Sequence, residues 1–254
     1  MERFREKMYQ VKRNQIRMMY ERGYELPEGE TRDLDKENFI QQYQGEKIDW
    51  EKLNNRYQPS PRATVDREPV FLFYLIRVNL KVTDKELLDN AKNMIEKMNA
   101  LGETNFVIIT SAIDKLSRKL AEKIDLEVKF SLIDWNLLRV DLPNQVRFPS
   151  HTLLSSEQRE LLFKKFRPNN LPIMRSFDPA AIYYDAKGGQ VFLIKRRNQV
   201  TRTLREQLIY YRIVVDVGAP LETEAKDDDE VKEPDFDIER PDDMQLPGAD
   251  EPDE

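Results

Sequence analysis

Cysteine is absent from the 254-residue sequence, and histidine occurs once, as His151. Without cysteine the chain can hold no disulfide, no thiol nucleophile and no zinc or iron–sulfur site with cysteine ligands. A single histidine excludes a metal site built from several histidines, although His151 could still belong to a Ser–His–Asp triad. No metal site with cysteine ligands or with several histidine ligands is therefore predicted for this chain.

Neither a membrane-spanning segment nor a phosphate-binding loop can be found in the sequence. No stretch approaches the roughly 18 consecutive apolar residues that cross a bilayer, and residues 1–6 lack the apolar core of a signal peptide. We therefore expect an intracellular protein with no membrane partner. Neither G-x-x-x-x-G-K nor G-x-G-x-x-G occurs, so Gly188 and Gly189 are interpreted as a turn and no cofactor is predicted.

The formal net charge of −6 is divided unevenly along the chain. Residues 221–254 hold sixteen acidic and three basic residues, a net charge of −13, which leaves +7 (38 basic minus 31 acidic) for residues 1–220. A basic body with an acidic tail is typical of proteins that meet nucleic acid, but a solubilising tail on an ordinary body would give the same composition.

Hydrophobic patterning predicts an α/β fold for the first part of the chain. The expected elements, in order, are helices at 4–22 and 35–43, a loop at 55–69, a strand at 70–78, a helix opened by a capping box at 83–86, a strand at 106–110, a helix at 113–124 and a strand at 126–130. Strands that alternate with helices pair in parallel, so we expect a small, mostly parallel sheet with packed helices.

The pattern changes near Pro143, after which prolines punctuate shorter elements. Ser155 opens a helix through residue 166 with a second capping box, the Asp178-Pro179 pair starts a shorter helix, and residues 191–194 and 208–217 are predicted strands. The predicted organisation is an N-terminal α/β domain at 1–146, a small α+β domain at 147–217 and a disordered acidic tail at 218–254.

A series of separated motifs runs through the second predicted domain. In order they are Phe148-Pro149-Ser150-His151, the helix after Ser155, Leu171-Pro172-Ile173, Asp178-Pro179-Ala180-Ala181-Ile182-Tyr183-Tyr184, Gly189-Gln190-Val191 and Tyr210-Tyr211-Arg212-Ile213-Val214. Their order and spacing resemble the C-terminal assembly domain of the fifth subunit shared by eukaryotic DNA-dependent RNA polymerases, and of its archaeal counterpart. Residues 3–146 resemble the family's N-terminal jaw domain more weakly.

The resemblance implies a non-catalytic polymerase subunit without cofactor or metal. In the family the small domain docks on the largest subunit, while the larger domain projects toward downstream double-stranded DNA as part of a jaw. The implied partners are therefore polymerase subunits and DNA, in the nucleus of a cell or in the virion, host cytoplasm or viral factory of a virus. The predicted subunit-interface residues are Asp178, Pro179, Tyr183, Gly189, Gln190, Tyr211 and Arg212. Several of them could equally be internal to the domain: Asp178 and Pro179 are explained as a helix start, whereas Tyr211 and Arg212 are better interface candidates, because aromatic and arginine side chains are enriched at binding hot spots.

The sequence departs from the family pattern at a few positions. Ile182 stands where the family usually has arginine, so we expect any polar contact of that arginine to be absent. Asp185 stands where the family has glycine, and the acidic tail has no counterpart in the short family members. Such divergence would suit a polymerase of a large DNA virus or of a divergent eukaryote.

Two other functions fit parts of the sequence. Glu127-Val128-Lys129 on the strand predicted at 126–130, preceded by Asp114, matches the acidic and E-x-K pattern with which some nucleases hold Mg²⁺. Such a triplet arises easily by chance at 35% charged residues, and alternating charge also suits a strand with one solvated face. A basic body also permits a free-standing DNA-binding transcription factor. His151 is predicted to be structural, through its place in the family motif.

Overall fold

A computed structural model of the chain describes residues 2–42, 50–76, 83–111, 127–145, 148–197 and 207–216. The chain falls into two units, Met1–Leu221 and Glu222–Glu254, and every described residue belongs to the first. The predicted helix at 113–124 and the predicted acidic tail at 218–254 lie outside the described residues. No helix in the described part of the chain is long and apolar enough to cross a membrane.

Helices and strands alternate through most of the first unit. The helices are α1 (Glu2–Glu21), α2 (Lys36–Gln42), α3 (Asp84–Asn99), α4 (Trp135–Leu138), α5 (Ser156–Phe163) and α6 (Pro179–Tyr184). The strands are β1 (Asn55–Tyr57), β2 (Val70–Leu75), β3 (Asn105–Thr110), β4 (Lys129–Asp134), β5 (Ser150–Leu153), β6 (Ile173–Arg175), β7 (Val191–Arg197) and β8 (Gln207–Val215). Short 3₁₀ turns occupy Trp50–Leu53, Leu142–Asn144 and Pro168–Asn170.

The first sheet has the strand order β1-β2-β3-β4 within the described residues. Strands β2, β3 and β4 pair in parallel, with Val107 of β3 opposite Leu72 on one side and Ser131 on the other. This pairing confirms the mostly parallel sheet expected from the sequence. Strand β1 pairs antiparallel with β2, so the loop predicted at 55–69 is wrong at Asn55–Tyr57. The sequence pattern could not show this strand, because three residues are too few to display the alternation of a strand.

Strand β2 is apolar throughout because helices cover both faces of this sheet. Successive side chains of a strand point to opposite faces. Leu72 and Tyr74 therefore share a hydrophobic core with α1, whereas Phe73 and Leu75 share another with α3. The two cores fix β2 in one register, since a shift by one residue would exchange the two sets.

The ends of the two long helices follow from local chemistry. Thr83 and Glu86 form the predicted capping box at the start of α3, each side chain accepting a hydrogen bond from the other residue's backbone N–H. Helix α1 ends before Gly23, which has a φ of +90° and lies so close to Ala63 that an added Cβ would stand 2.8 Å from that residue's Cβ. Glycine is required there by both its backbone conformation and its contact.

A buried polar network joins α1 to the strands of the first sheet. Lys12 Nζ donates to Glu30 Oε1 over 2.6 Å and to Gln15 Oε1 over 3.0 Å, and both Lys12 and Glu30 are almost fully buried. Tyr57 donates to Glu30 Oε2 over 2.6 Å, and Tyr74 donates to Gln15 Oε1 over 2.8 Å. Burial lowers the pKa of Lys12, while Glu30 acts in the opposite direction. The network thus gives the buried Lys12 ammonium group a counter-charge, the Glu30 carboxylate, inside the core.

Strand β4 begins later than the sequence predicted. The structure places it at Lys129–Asp134 rather than at 126–130, because Ile133 is fully buried opposite Ile109 of β3. Glu127 and Val128 precede the strand and take no part in the sheet. Full burial of Ile133 and partial burial of Leu132 outweigh the apolar character of the segment before them.

The second sheet has the order β5-β7-β8-β6 within the described residues. Strand β7 pairs antiparallel with β5 and β8, and β6 pairs parallel with β8. Helix α5 packs Leu162 against one face, and α6 packs Ala180 and Ala181 against the other. Both α5 and α6 start at the residues predicted, Ser155 and Asp178 being their N-caps, although α5 ends at residue 163 instead of 166.

The two sheets belong to the same unit of the chain. Tyr183 of α6, from the second predicted domain, is only 2% exposed and lies in the same hydrophobic cluster as Met18 and Met19 of α1. The two predicted domains therefore share core contacts, and a division at residue 146 stays a prediction.

Candidate functional site

The first two predicted interface residues, Asp178 and Pro179, start helix α6. The Asp178 carboxylate accepts a hydrogen bond of 2.8 Å from the backbone N–H of Ala180. Pro179 occupies the first helical position, where its missing N–H costs nothing, and its side chain is exposed. Helix initiation explains both residues, and Pro179 alone of the pair is freely accessible.

The other end of α6 is held by two arginines from the first part of the chain. Arg22 donates from Nε to the Tyr183 carbonyl and from a terminal nitrogen to the Ile182 carbonyl, both over 2.8 Å. Arg67 donates to the Tyr184 carbonyl over 2.7 Å. The last carbonyls of a helix lack partners within the helix and favour cations, so these side chains complete it. We call Arg22 and Arg67 the two-arginine clamp.

Asp185 follows α6 in a left-handed backbone conformation, with a φ of +49°. The resemblance gives the family a glycine here, a residue that adopts this conformation without strain. The Asp185 carboxylate lies 3.0 Å from Arg67 and 2.6 Å from Lys187. Burial would raise the pKa of Asp185, but the charges of Arg22, Lys187 and Arg67 together hold it below its usual value. The aspartate thus adds an ion pair to the clamp.

Three further predicted residues serve the fold around α6 and β7. Tyr183 is buried in the first core, so it has no free surface to offer. Gly189 has a φ of +80° and donates its N–H to the Val214 carbonyl over 2.9 Å. Gln190 accepts a hydrogen bond from the backbone N–H of Lys187 over 2.8 Å. These contacts account for the motif residues Gly189-Gln190 as the turn that leads into β7.

Tyr211 and Arg212, the last two predicted residues, are neighbours on β8 and point to opposite faces of the second sheet. Tyr211 is half-buried against the cluster formed with α5. The guanidinium carbon of Arg212 lies 5.8 Å from the centre of the Tyr210 ring, and Arg212 Nε has no hydrogen-bond partner in the described part of the chain. This Nε atom is itself buried, so the donor is left unsatisfied inside the fold, and only the exposed part of the Arg212 side chain could meet a partner.

The sequence interpretation missed a group of exposed apolar side chains at residues 161–177. Leu161, Phe166, Ile173 and Phe177 are between 42% and 63% exposed. One signal was present, because adjacent helix positions lie about 100° apart and only one member of the Leu161-Leu162 pair can face the sheet. Leu162 is the buried member, at 7% exposed.

The same stretch is basic and contains no acidic residue. Its charged side chains are all exposed and form no ion pair within the described residues; they are Lys164, Lys165, Arg167 and Arg175. We call residues 161–177 the basic-apolar segment. It runs from the outer side of α5 through a 3₁₀ turn to β6, the edge strand of the second sheet.

His151 lines a cavity of about 420 Å³ between α1, the residues before β2 and strand β5. Its Nδ1 atom lies 2.8 Å from the Pro149 carbonyl oxygen, and its ring packs edge-on against Phe192. Burial lowers the pKa of His151. These contacts agree with the structural role predicted for the histidine and give no support to a catalytic triad.

The nuclease interpretation requires the E-x-K triplet to lie on a strand, and the structure does not place the whole triplet there. Of the E-x-K triplet, Lys129 alone lies on β4, and its ammonium group binds Glu68 over 2.8 Å. Asp114 lies outside the described residues. Within the described ranges no three or more His, Cys, Asp or Glu side chains are grouped as a metal site would need.

Comparison with known proteins shows which protein family the region containing these residues resembles. Residues 140–214 match the model of the RNA polymerase Rpb5 C-terminal domain. DNA-directed RNA polymerase subunit Rpo5 of Thermococcus kodakarensis is 37% identical over 75 residues, which are 29% of this chain and 87% of that protein. The DNA-directed RNA polymerases IV and V subunit 5B of Arabidopsis thaliana is 27% identical over 215 residues, covering 82% of this chain and 89% of the plant protein. The chain therefore belongs to the Rpb5 family of DNA-directed RNA polymerase subunits, which includes the archaeal Rpo5 proteins.

Proposed function

We propose that this protein is a non-catalytic subunit of a multisubunit DNA-directed RNA polymerase and docks on the largest subunit through residues 147–217. The observation that carries the proposal is the match to archaeal Rpo5, 87% of which is covered by 75 residues of this chain. A relative that consists almost wholly of the matched module is expected to assemble through it. Among the predicted contacts, Pro179 is exposed and Tyr211 and Arg212 are half-buried.

The first sheet and its helices form the second functional part in this proposal. The plant relative matches over 215 residues, so the similarity extends well beyond the assembly module. Residues 1–146 hold 25 basic and 25 acidic residues, so the +7 of residues 1–220 lies in residues 147–220, and a jaw position near downstream double-stranded DNA is supported by the extent of this similarity and not by charge. We assign residues 1–146 to the jaw on this basis, with nucleotidyl transfer carried out by other chains, in the nucleus of a cell or in the virion or viral factory of a virus.

Co-purification of the full-length chain tests the assignment. A tagged copy should be recovered with the two large catalytic subunits at a fixed 1:1:1 ratio that persists through size-exclusion chromatography. Arg212→Ala should weaken the association by about 2 kcal/mol if its guanidinium is a buried contact. Lys85→Ala, at an exposed position on α3, is the matched control and should bind as the wild type does.

Two outcomes would contradict the proposal. Recovery of the chain free of both catalytic subunits, but bound to DNA, would favour an independent transcription factor. Equal association of wild type and Arg212→Ala would remove Arg212 from the interface while leaving subunit membership intact.

A further inference from the structure

We propose that the basic-apolar segment, residues 161–177, binds an acidic amphipathic segment of the largest polymerase subunit. The inference rests on the proposed function and adds to it the surface and the chemistry of its partner. It also shifts the interface away from most of the motif residues. Asp178, Gly189 and Gln190 make hydrogen bonds within the fold, whereas the exposed basic side chains of this segment form no ion pair among the described residues.

The apolar part of the argument is the exposure of four large side chains within seventeen consecutive residues. They stand on α5, after its end, on β6 and in the turn after β6, as Leu161, Phe166, Ile173 and Phe177. Single exposed apolar residues are common on soluble proteins, but four exposed large side chains so close along the chain favour a surface that another protein covers. The alternation of exposed Ile173, buried Met174 and exposed Arg175 shows that β6 already uses one face for the core.

The positive charge of the basic-apolar segment determines the sign of the charge that its partner must carry. Lys164, Lys165, Arg167 and Arg175 give it a charge of +4 with no acidic residue to offset it. None of the four has an ion-pair partner among the described residues, although acidic side chains are abundant in the chain as a whole. Complementary charge steers association and selects partners, so the occupant is acidic.

A nucleic acid would match the charge but not the apolar side chains. Proteins that bind single strands stack bases on aromatic rings beside Lys and Arg. Phe166 and Phe177 could stack on bases, but Leu161 and Ile173 offer no ring, and burial of these two aliphatic side chains is favourable only against apolar groups. The partner therefore alternates acidic and apolar side chains, which is the composition of an amphipathic peptide segment.

The experiment compares three full-length variants with the wild type for binding to the purified largest subunit. The first variant reverses the four charges of the segment (K164E, K165E, R167E and R175E). The second replaces its apolar side chains (L161S, F166S, I173S and F177S). The control reverses four basic residues elsewhere (R62E, K85E, K92E and K97E). All the replaced side chains of the segment are exposed, so the fold should persist, which circular dichroism will verify.

The charge-reversal variant should lose affinity on the order of a hundredfold at low salt, and its remaining affinity should depend little on salt. The apolar variant should lose affinity on the order of tenfold and keep the salt dependence of the wild type. The control should stay within about twofold of the wild type.

The possible failures can be told apart. If the wild type does not bind the largest subunit, the proposed function itself is wrong. If the wild type binds and both segment variants bind equally well, the polymerase assignment stands and the basic-apolar segment is not the docking surface. If charge reversal abolishes binding to duplex DNA but leaves subunit binding unchanged, the occupant is nucleic acid and the inference is overturned.

Discussion

Replacement of Arg67 by alanine should lower the free energy of unfolding by about 3 kcal/mol. The Arg67 side chain is 7% exposed and donates to the Tyr184 carbonyl, the Asp185 carbonyl and the Asp185 carboxylate over 2.7, 3.1 and 3.0 Å. Hydrogen bonds to charged groups are worth about 1.5–3 kcal/mol each but are not additive within one network. The loss stays at the lower end of the range for a broken buried pair, because Asp185 is 22% exposed and retains Lys187.

Equilibrium urea unfolding, followed by the fluorescence of Trp50 and Trp135, measures this loss. A double-mutant cycle with Asp185→Asn isolates the ion pair, since asparagine tolerates the left-handed backbone at this position and carries no charge. We expect a coupling energy of about 1–2 kcal/mol between the two positions. Lys187→Ala is the matched control, because this exposed partner of Asp185 should contribute little.

A loss below about 1 kcal/mol for Arg67→Ala, together with no coupling to Asp185, would refute this reasoning. It would mean that water satisfies the freed carbonyls at the end of α6 as well as Arg67 does. A loss of full size without coupling would instead assign the stabilisation to the helix carbonyls and not to the carboxylate.

Three further predictions concern single side chains. Glu30→Ala should destabilise the protein by about 3–5 kcal/mol in urea unfolding, because Lys12 would remain buried without its counter-charge. Lys36→Ala, at the exposed Lys36–Glu6 pair, is the control and should leave the urea midpoint of unfolding unchanged. Burial lowers the pKa of His151 in the folded state, so the unfolded chain binds the proton more tightly. The free energy of unfolding should therefore fall as the pH drops below about 6.5. His151→Gln should flatten this pH dependence of the free energy of unfolding between about pH 5 and 8. Plasmid DNA incubated with the chain and Mg²⁺ should remain intact on a gel, and cleavage that Lys129→Ala abolishes would contradict the non-catalytic assignment.

The sequence predicts those parts of the fold that depend on neighbours along the chain. The capping boxes at Thr83 and Ser155 fix the starts of α3 and α5, and the apolar run of β2 indicates a strand buried on both faces. Strand β1 and the late start of β4 escape such reasoning, because pairing with β2 and β3 decides them. Register between strands is a property of two segments and cannot be read from either alone.

The candidate site shows the same division. Motif order identified the assembly module, and local rules explain Asp178 as a helix cap and Gly189 as part of a turn. The clamp could not be predicted, since Arg22 and Arg67 contact carbonyls 161 and 117 residues further along the chain. Exposure of Leu161 likewise depends on what the fold leaves uncovered, although its pairing with Leu162 was a usable signal.

The two-arginine clamp connects the second sheet, through α6, to the first sheet and its helix α1. Arg22 follows α1 and Arg67 precedes β2, and both donate hydrogen bonds to backbone oxygens at the end of α6. A rotation of the second sheet relative to the first would therefore have to break these hydrogen bonds at the end of α6. In an assembled polymerase, the angle at which α6 is held would then set the direction in which the tip of the first sheet points.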